Sequence, residues 1–172
     1  MVHGIIADHE GAITIQSTPG QGTTFDLYFP RSAWIAVDEG TEEALPKGQE
    51  RILFVDDEAP LVRLGQHMLA RLGYKVMACT SGAEALEAFQ AAPQEFDLVI
   101  TDQIMPHLTG EVLARALHKI RPELPIILCA GFSHALTAEK VAAVGINAYL
   151  MKPLVSRELG LAIRHILDQC NA

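Results

Sequence analysis

Acidic side chains stand just past two short apolar runs, and a lysine stands just past a third. Asp56-Asp57-Glu58 follows Arg51–Val55, Asp102 follows Leu98–Thr101, and Lys152 follows Ala148–Met151. Carboxylates gathered in one place repel each other and favour their protonated forms unless a cation is present. A magnesium ion, hard and oxygen-seeking, answers that need: one or two carboxylates hold it while phosphate oxygens fill further positions. With the metal bound, one carboxylate can attack a phosphoryl donor and carry an acyl phosphate. Lys152 suits the opposite side of such a site as a mobile point charge for a phosphate oxygen. Taken singly, Asp57 or Glu58 reads as a helix cap and Lys152 as a surface cation. Together, each after its strand, they read as one site.

The elements that must position these groups follow from the pattern of residues 50–172. Five short apolar runs are expected as strands: Arg51–Val55, Lys75–Cys79, Leu98–Thr101, Ile126–Cys129 and Ala148–Met151. Each is short and ends in a turn or cap signal, as strands buried on both faces should. Between them, Leu61, Leu64, Met68, Leu69 and Leu72 recur at helical spacing. So do Ala85, Leu86 and Phe89, and then Val112, Leu113, Ala116, Leu117 and Ile120. Ser81-Gly82-Ala83-Glu84 reads as a capping box, Thr137 and Ser156 as N-caps, and Gly73 and Gly145 as helix stops. Strict alternation predicts an α/β fold with a parallel sheet, right-handed crossovers and helices on both faces. The carboxyl ends of the strands form the active edge of such a sheet. All four groups lie there.

The first 49 residues have a different texture. Residues 1–30 read as the end of a helix, Val2 to His9, followed by a hairpin. Its strands are Ala12–Ser17 and Thr23–Phe29, with β-branched or aromatic residues alternating as a half-buried sheet requires. Residues 31–49 lack periodicity and carry Asp38, Glu39, Glu42 and Glu43 beside Gly40, Pro46 and Gly48, as an acidic linker would. Trp34 is a lone apolar anchor within it.

Composition narrows the function further. The 172-residue chain carries a net charge of −8, with no Lys/Arg run, which argues against nucleic acid as a partner. No apolar stretch reaches membrane-spanning length and the start lacks the marks of a signal peptide, so a cytoplasmic protein without direct membrane contact is expected. The three cysteines are far apart and fit neither a thiol redox motif nor a zinc site. None of the seven histidines forms a metal-type pair.

Three segments resemble the receiver domain of bacterial response regulators: Phe54-Val55-Asp56-Asp57-Glu58, Thr101-Asp102-Gln103-Ile104-Met105-Pro106 with Gly110, and Tyr149-Leu150-Met151-Lys152-Pro153-Leu154. The resemblance spans about residues 50–170. It implies a five-stranded, flavodoxin-like doubly wound (βα)5 fold and a place in a two-component phosphorelay. Asp102 would accept a phosphoryl group from a phosphohistidine on a histidine kinase or histidine phosphotransfer domain. Asp57 would bind Mg2+ directly, Asp56 largely through water, and the main-chain carbonyl of Ile104 would be a further ligand beside Asp102. Lys152 would bridge Asp102 and the phosphate, Tyr149 would be the aromatic switch, and Pro153 would follow a cis peptide bond. The first 30 residues are similar to the extreme C-terminus of a histidine kinase ATP-binding domain, through Val2-His3-Gly4-Ile5-Ile6, Gly11–Ile15 and Pro19–Phe25. That likeness implies the tail of a hybrid histidine kinase. The ATP-binding boxes are missing, so no ATP-dependent kinase activity is expected, only Mg2+-dependent self-phosphorylation and slow self-dephosphorylation.

One position departs from the receiver pattern. The family places Thr or Ser after the fourth strand, as a second switch residue that hydrogen-bonds the phosphoryl group. Here that residue is Ala130. Alanine donates nothing, and losing one charge-assisted hydrogen bond costs roughly 1.5–3 kcal/mol. Phosphorylation should survive the loss, while its coupling to Tyr149 is open. The alternative reading is therefore a phosphorylation-insensitive docking module, a pseudo-receiver. A phosphohydrolase using Asp102 fits less well, because Gln103 and Ile104 rather than an acid follow it. Ile104 and Phe132 would shield an acyl phosphate and lengthen its life. No output domain follows Ala172, so output is expected through protein contact or onward transfer. Oligomeric state is not encoded in any pattern here.

Overall fold

The computed structural model describes residues 2–30, 45–131 and 145–170. The chain forms two compact units, Met1–Glu42 and Glu43–Ala172. The expected fourth helix with its cap Thr137, together with Trp34, Phe132 and Ser133, lies outside the described residues.

The first unit holds helix α1 (Val2–Asp8) and an antiparallel hairpin, β1 (Ala12–Thr18) and β2 (Gly22–Tyr28), registered from Ala12↔Tyr28 to Thr18↔Gly22. The turn between them uses Gly20 and Gly22 at φ of +76° and +98°, where a side chain would be strained. Expected half-burial does not occur. Ile15, Phe25, Leu27 and Tyr28 are all at least half exposed, and Ile6 is the buried apolar residue among those described here. Two strands and one seven-residue helix supply too little surface to cover a sheet face.

The second unit is a five-stranded parallel sheet in the order β4-β3-β5-β6-β7. Its strands are β3 (Arg51–Val55), β4 (Lys75–Cys79), β5 (Leu98–Asp102), β6 (Ile126–Ala130) and β7 (Ala148–Met151). The described helices are α2 (Ala59–Arg71), α3 (Gly82–Ala91), α4 (Gly110–Ile120) and a last one, numbered α5 here (Ser156–Cys170). Central strands β5 and β6 are buried throughout, as their continuous apolar runs require. Edge strands β4 and β7 are only partly covered, so burial on both faces holds for the middle of the sheet alone. Two apolar clusters fill the two faces. One holds Leu53, Val55, Phe89, Val99, Leu113 and Leu128; the other holds Ile52, Phe54, Leu69, Ile100, Ile127 and Ile163.

Helix faces turn differently from their apolar stripes in two places. In α2 the buried line is Val62, Gly65 and Leu69, while Leu64 is 54% exposed. Gly65 decides this: a Cβ there would stand 2.4 Å from the Phe54 ring, so the helix approaches the sheet along its smallest residue. In α4, Leu113, Ala114 and Leu117 are buried while Val112 and Ile120 face outward. The caps divide likewise. Ser81 accepts from the Glu84 N–H at 3.2 Å, as its sequence indicates. Ser156, expected as a cap, is instead the first residue of α5, and Leu159 N–H bonds the carbonyl of Val155. Gly73 and Gly145 take φ of +94° and +77°, the left-handed conformation their positions require.

The entry segment is fastened to the domain. Gly48 N–H donates to the Leu72 carbonyl at 3.0 Å, and Glu50 accepts from Arg164 of α5 at 2.7 Å. Arg121, just after α4, donates to the carbonyls of Pro93 and Phe96 at 2.7 and 2.6 Å and so ties down the α3–β5 connection.

Two of the cysteines are sealed in the core. Burial pushes the Cys129 thiol up to about 12 and the Cys79 thiol up to about 11, so neither supplies thiolate near neutral pH. Cys170 is exposed. Labelling of native protein with a small maleimide should stop after one of the three thiols; rapid labelling of two or three would contradict this burial.

Candidate acidic site at the strand ends

Asp56 and Asp102 arrive at the same edge because β3 and β5 are parallel neighbours, with Val55 registered on Thr101. Lys152 reaches them from the end of β7, across β6. Its Nζ lies 2.7 Å from Asp56 Oδ2 and 2.7 Å from Asp102 Oδ1. The other carboxylate oxygens are bound by backbone: Glu58 N–H donates to Asp56 Oδ1 at 2.9 Å, and Ile104 N–H to Asp102 Oδ2 at 3.2 Å. Asp56 is 2% exposed and Asp102 7%. Burial opposes the charge on Lys152, but hydrogen bonds to Asp102 and Asp56 outweigh it and hold its pKa above the ordinary lysine value.

Asp57 is exposed on the loop before α2, beside this pair rather than bonded into it. The capping alternative for Glu58 fails, since it occupies the N-cap position of α2 without a side-chain cap bond. The Lys152–Pro153 peptide is cis. Ala130 is 1% exposed at the end of β6, and its carbonyl accepts from Lys152 N–H at 2.8 Å. Tyr149 is half-buried and packs against the cluster that contains Leu128, its register partner. Ile104 is 49% exposed, two residues past Asp102, which is itself buried.

The loop from Gln103 to Thr109 is shaped by contacts that local patterns do not reveal. Thr109 caps α4 by accepting from Val112 N–H at 3.4 Å, without the glutamate three residues on that would have signalled it. Gly110 N–H donates to the Gln103 carbonyl at 3.0 Å, and a Cβ on Gly110 would lie 2.2 Å from the Asp102 carbonyl oxygen. Gly110→Ala must therefore push against the backbone that carries Asp102. We expect a loss of about 1–3 kcal/mol in urea denaturation, as for other overpacked sites. Unchanged stability would show that the α4 start can withdraw freely.

A hard cation fits this donor set. Asp56 and Asp102 meet on one ammonium, Asp57 follows Asp56 on the exposed loop, and the side-chain donors of all three are oxygens. Among the described residues no three acidic, histidine or cysteine side chains form a ready-made cage. Mg2+ keeps several of its waters and does not need one.

The fold and this edge define a class, and the comparisons agree with it. The model of the response regulator receiver domain family matches residues 52–164, and the chain belongs to that family. A solved receiver domain from Clostridium thermocellum superposes with a TM-score of 0.68 at 30% identity, covering 71% of this chain and 97% of that one. A receiver protein from Sinorhizobium medicae gives 0.62 at 31% identity, covering 71% and 97%. Among curated relatives, the sensor kinase CckA of Brucella abortus is 31% identical over 98% of this chain but only 19% of its own length. The sensor histidine kinase GacS of Pseudomonas protegens is 35% identical over 81% of this chain and 16% of its own length. The chain thus spans less than a fifth of these relatives. No helix among the described residues is long and apolar enough to cross a membrane.

Proposed function

We propose that this chain is a phosphoacceptor receiver of a phosphorelay, with Asp102 as the residue that takes the phosphoryl group. The observation that carries this reading is the single ammonium of Lys152 held at 2.7 Å from both Asp56 and Asp102. The donor is a phosphohistidine on a histidine kinase or histidine phosphotransfer domain. An O–P bond forms at the Asp102 carboxylate as the N–P bond of the donor breaks, leaving the electron pair on the imidazole nitrogen. Lys152 then exchanges a carboxylate partner for a phosphoryl oxygen. Asp57, Asp56, Asp102 and the Ile104 carbonyl would hold Mg2+, which when bound neutralises charge on the transferring group. Residues 50–172 form the receiver, and the acidic linker expected over 31–49 is shortened at its end, because the segment from Leu45 packs on the receiver. Residues 1–30 are the end of a kinase ATP-binding domain, supported by a sensor-kinase match that extends over 98% of the chain. Such a chain works in the cytoplasm, as part of a longer sensor.

Intact mass after incubation with a small phosphodonor tests the reading. One phosphoryl group should be added with Mg2+ and none in its absence. No addition to folded, Mg2+-loaded protein would overturn it.

A second reading, the phosphorylation-insensitive docking module, is favoured by one observation: Ala130 brings a buried methyl to the edge beside Asp102. Equal affinity for a partner kinase with and without a phosphate mimic would support it.

A further inference from the structure

An acyl phosphate on Asp102 would need hydrogen-bond donors on more than one side. Lys152 and the Ile104 N–H already touch the two Asp102 oxygens. On the β6 side, Ala130 offers only its methyl. Beside it stands a polar group that the site as described does not use.

Gln103 follows Asp102 directly, is 8% exposed, and its buried side-chain oxygen has no hydrogen-bond partner. Its backbone is fixed at both ends, donating to the Cys129 carbonyl at 2.7 Å and accepting from Gly110 at 3.0 Å. Asp102 is registered on Cys129, so one step further Gln103 stands beside Ala130. Gln103 lies one residue past the end of β5, and the bond from its N–H to the Cys129 carbonyl carries the backbone pairing that one step further. Buried amides are paired in the great majority of cases. A carboxamide carries an acceptor and two donor hydrogens at nearly equal reach, and rotation about its last bond exchanges them.

We propose that the Gln103 carboxamide is the phosphoryl-contacting donor on the β6 side, in the place that Ala130 leaves empty of a hydroxyl. It rests on Asp102 being the phosphoacceptor. It also restores to the site the donor whose loss motivates the docking-module reading.

The test uses the full chain with Mg2+ and beryllofluoride, which mimics a phosphoryl group on a carboxylate. Gln103→Leu should bind beryllofluoride roughly ten- to a hundredfold more weakly, the effect of one lost charge-assisted hydrogen bond, while Mg2+ alone binds as in the wild type. Adding Ala130→Thr to Gln103→Leu should return most of the lost affinity, which a merely structural defect would not allow. In the wild type, the side-chain amide resonances of Gln103 should shift with beryllofluoride and Mg2+ but not with Mg2+ alone. Unchanged beryllofluoride affinity in Gln103→Leu overturns the proposal while leaving Asp102 as phosphoacceptor. Should that variant fail to fold, the wild-type spectrum decides, and unmoved Gln103 resonances overturn it. If the wild type binds no beryllofluoride, the phosphoacceptor reading falls and this proposal falls with it.

Discussion

Asp102→Asn will abolish phosphoryl uptake from a small phosphodonor while the domain stays folded. An amide at this position keeps an acceptor for the Ile104 N–H and nearly the same volume, but it is no nucleophile. Lys152 would still hold Asp56 at 2.7 Å, so the edge keeps its main ion pair. Neither remaining aspartate is placed to take over. Asp56 lies deeper than Asp102, 2% against 7% exposed. Asp57 lies on the exposed loop beyond β3, whereas Asp102 ends the middle strand of the sheet. Intact mass with and without Mg2+ is the measurement. Uptake by Asp102→Asn at the wild-type level would move the nucleophile to another carboxylate.

The second large effect concerns stability. Lys152→Met keeps most of the side chain and removes the charge, leaving Asp56 and Asp102 buried side by side without their cation. Removing one partner of a buried pair costs about 3–5 kcal/mol, and partial exposure of Lys152 places the expected loss near the lower end. Urea denaturation in chelator should show it. Added Mg2+ should recover part of it, because a ligand that binds only the folded state stabilises that state. The sign with pH follows from the raised Lys152 pKa. The lysine's contribution is complete below its unfolded value, near 10.5, and is lost only as pH climbs through the higher folded value. Equal stability of Lys152→Met and wild type in chelator would mean that water already screens the two carboxylates.

Much of the fold was legible in residue types because the middle of a parallel sheet needs continuous apolar runs, and β3, β5 and β6 have them. Boundaries slipped by one residue where pairing is made by backbone alone. Asp102 and Ala130 join their ladders through Cys129 and Met151, and no side-chain pattern marks such an extension. The convergence of Asp56, Asp102 and Lys152 was readable because parallel strands carry their following residues to one edge. The role of Arg121 was not, since its carbonyl partners are 28 and 25 residues away in sequence. Nor was the outward turn of Leu64, which depends on how closely Gly65 lets α2 approach Phe54. Gln103 was visible only as the absence of an acid after Asp102. Its burial comes from the Cys129 and Gly110 bonds that hold the loop.

The fastening of the entry segment bears on how this domain can be moved between proteins. Pro46 lies against Gly160 of α5, and a Cβ on Gly48 would strike the Tyr74 ring at 2.2 Å. Leu45 packs against the core cluster of that face. The natural seam for excision or for grafting onto another sensor therefore falls before Leu45, not at Arg51 where the first strand begins. A chimera joined at Arg51 would strip a strap from α2 and α5 and expose apolar surface on both.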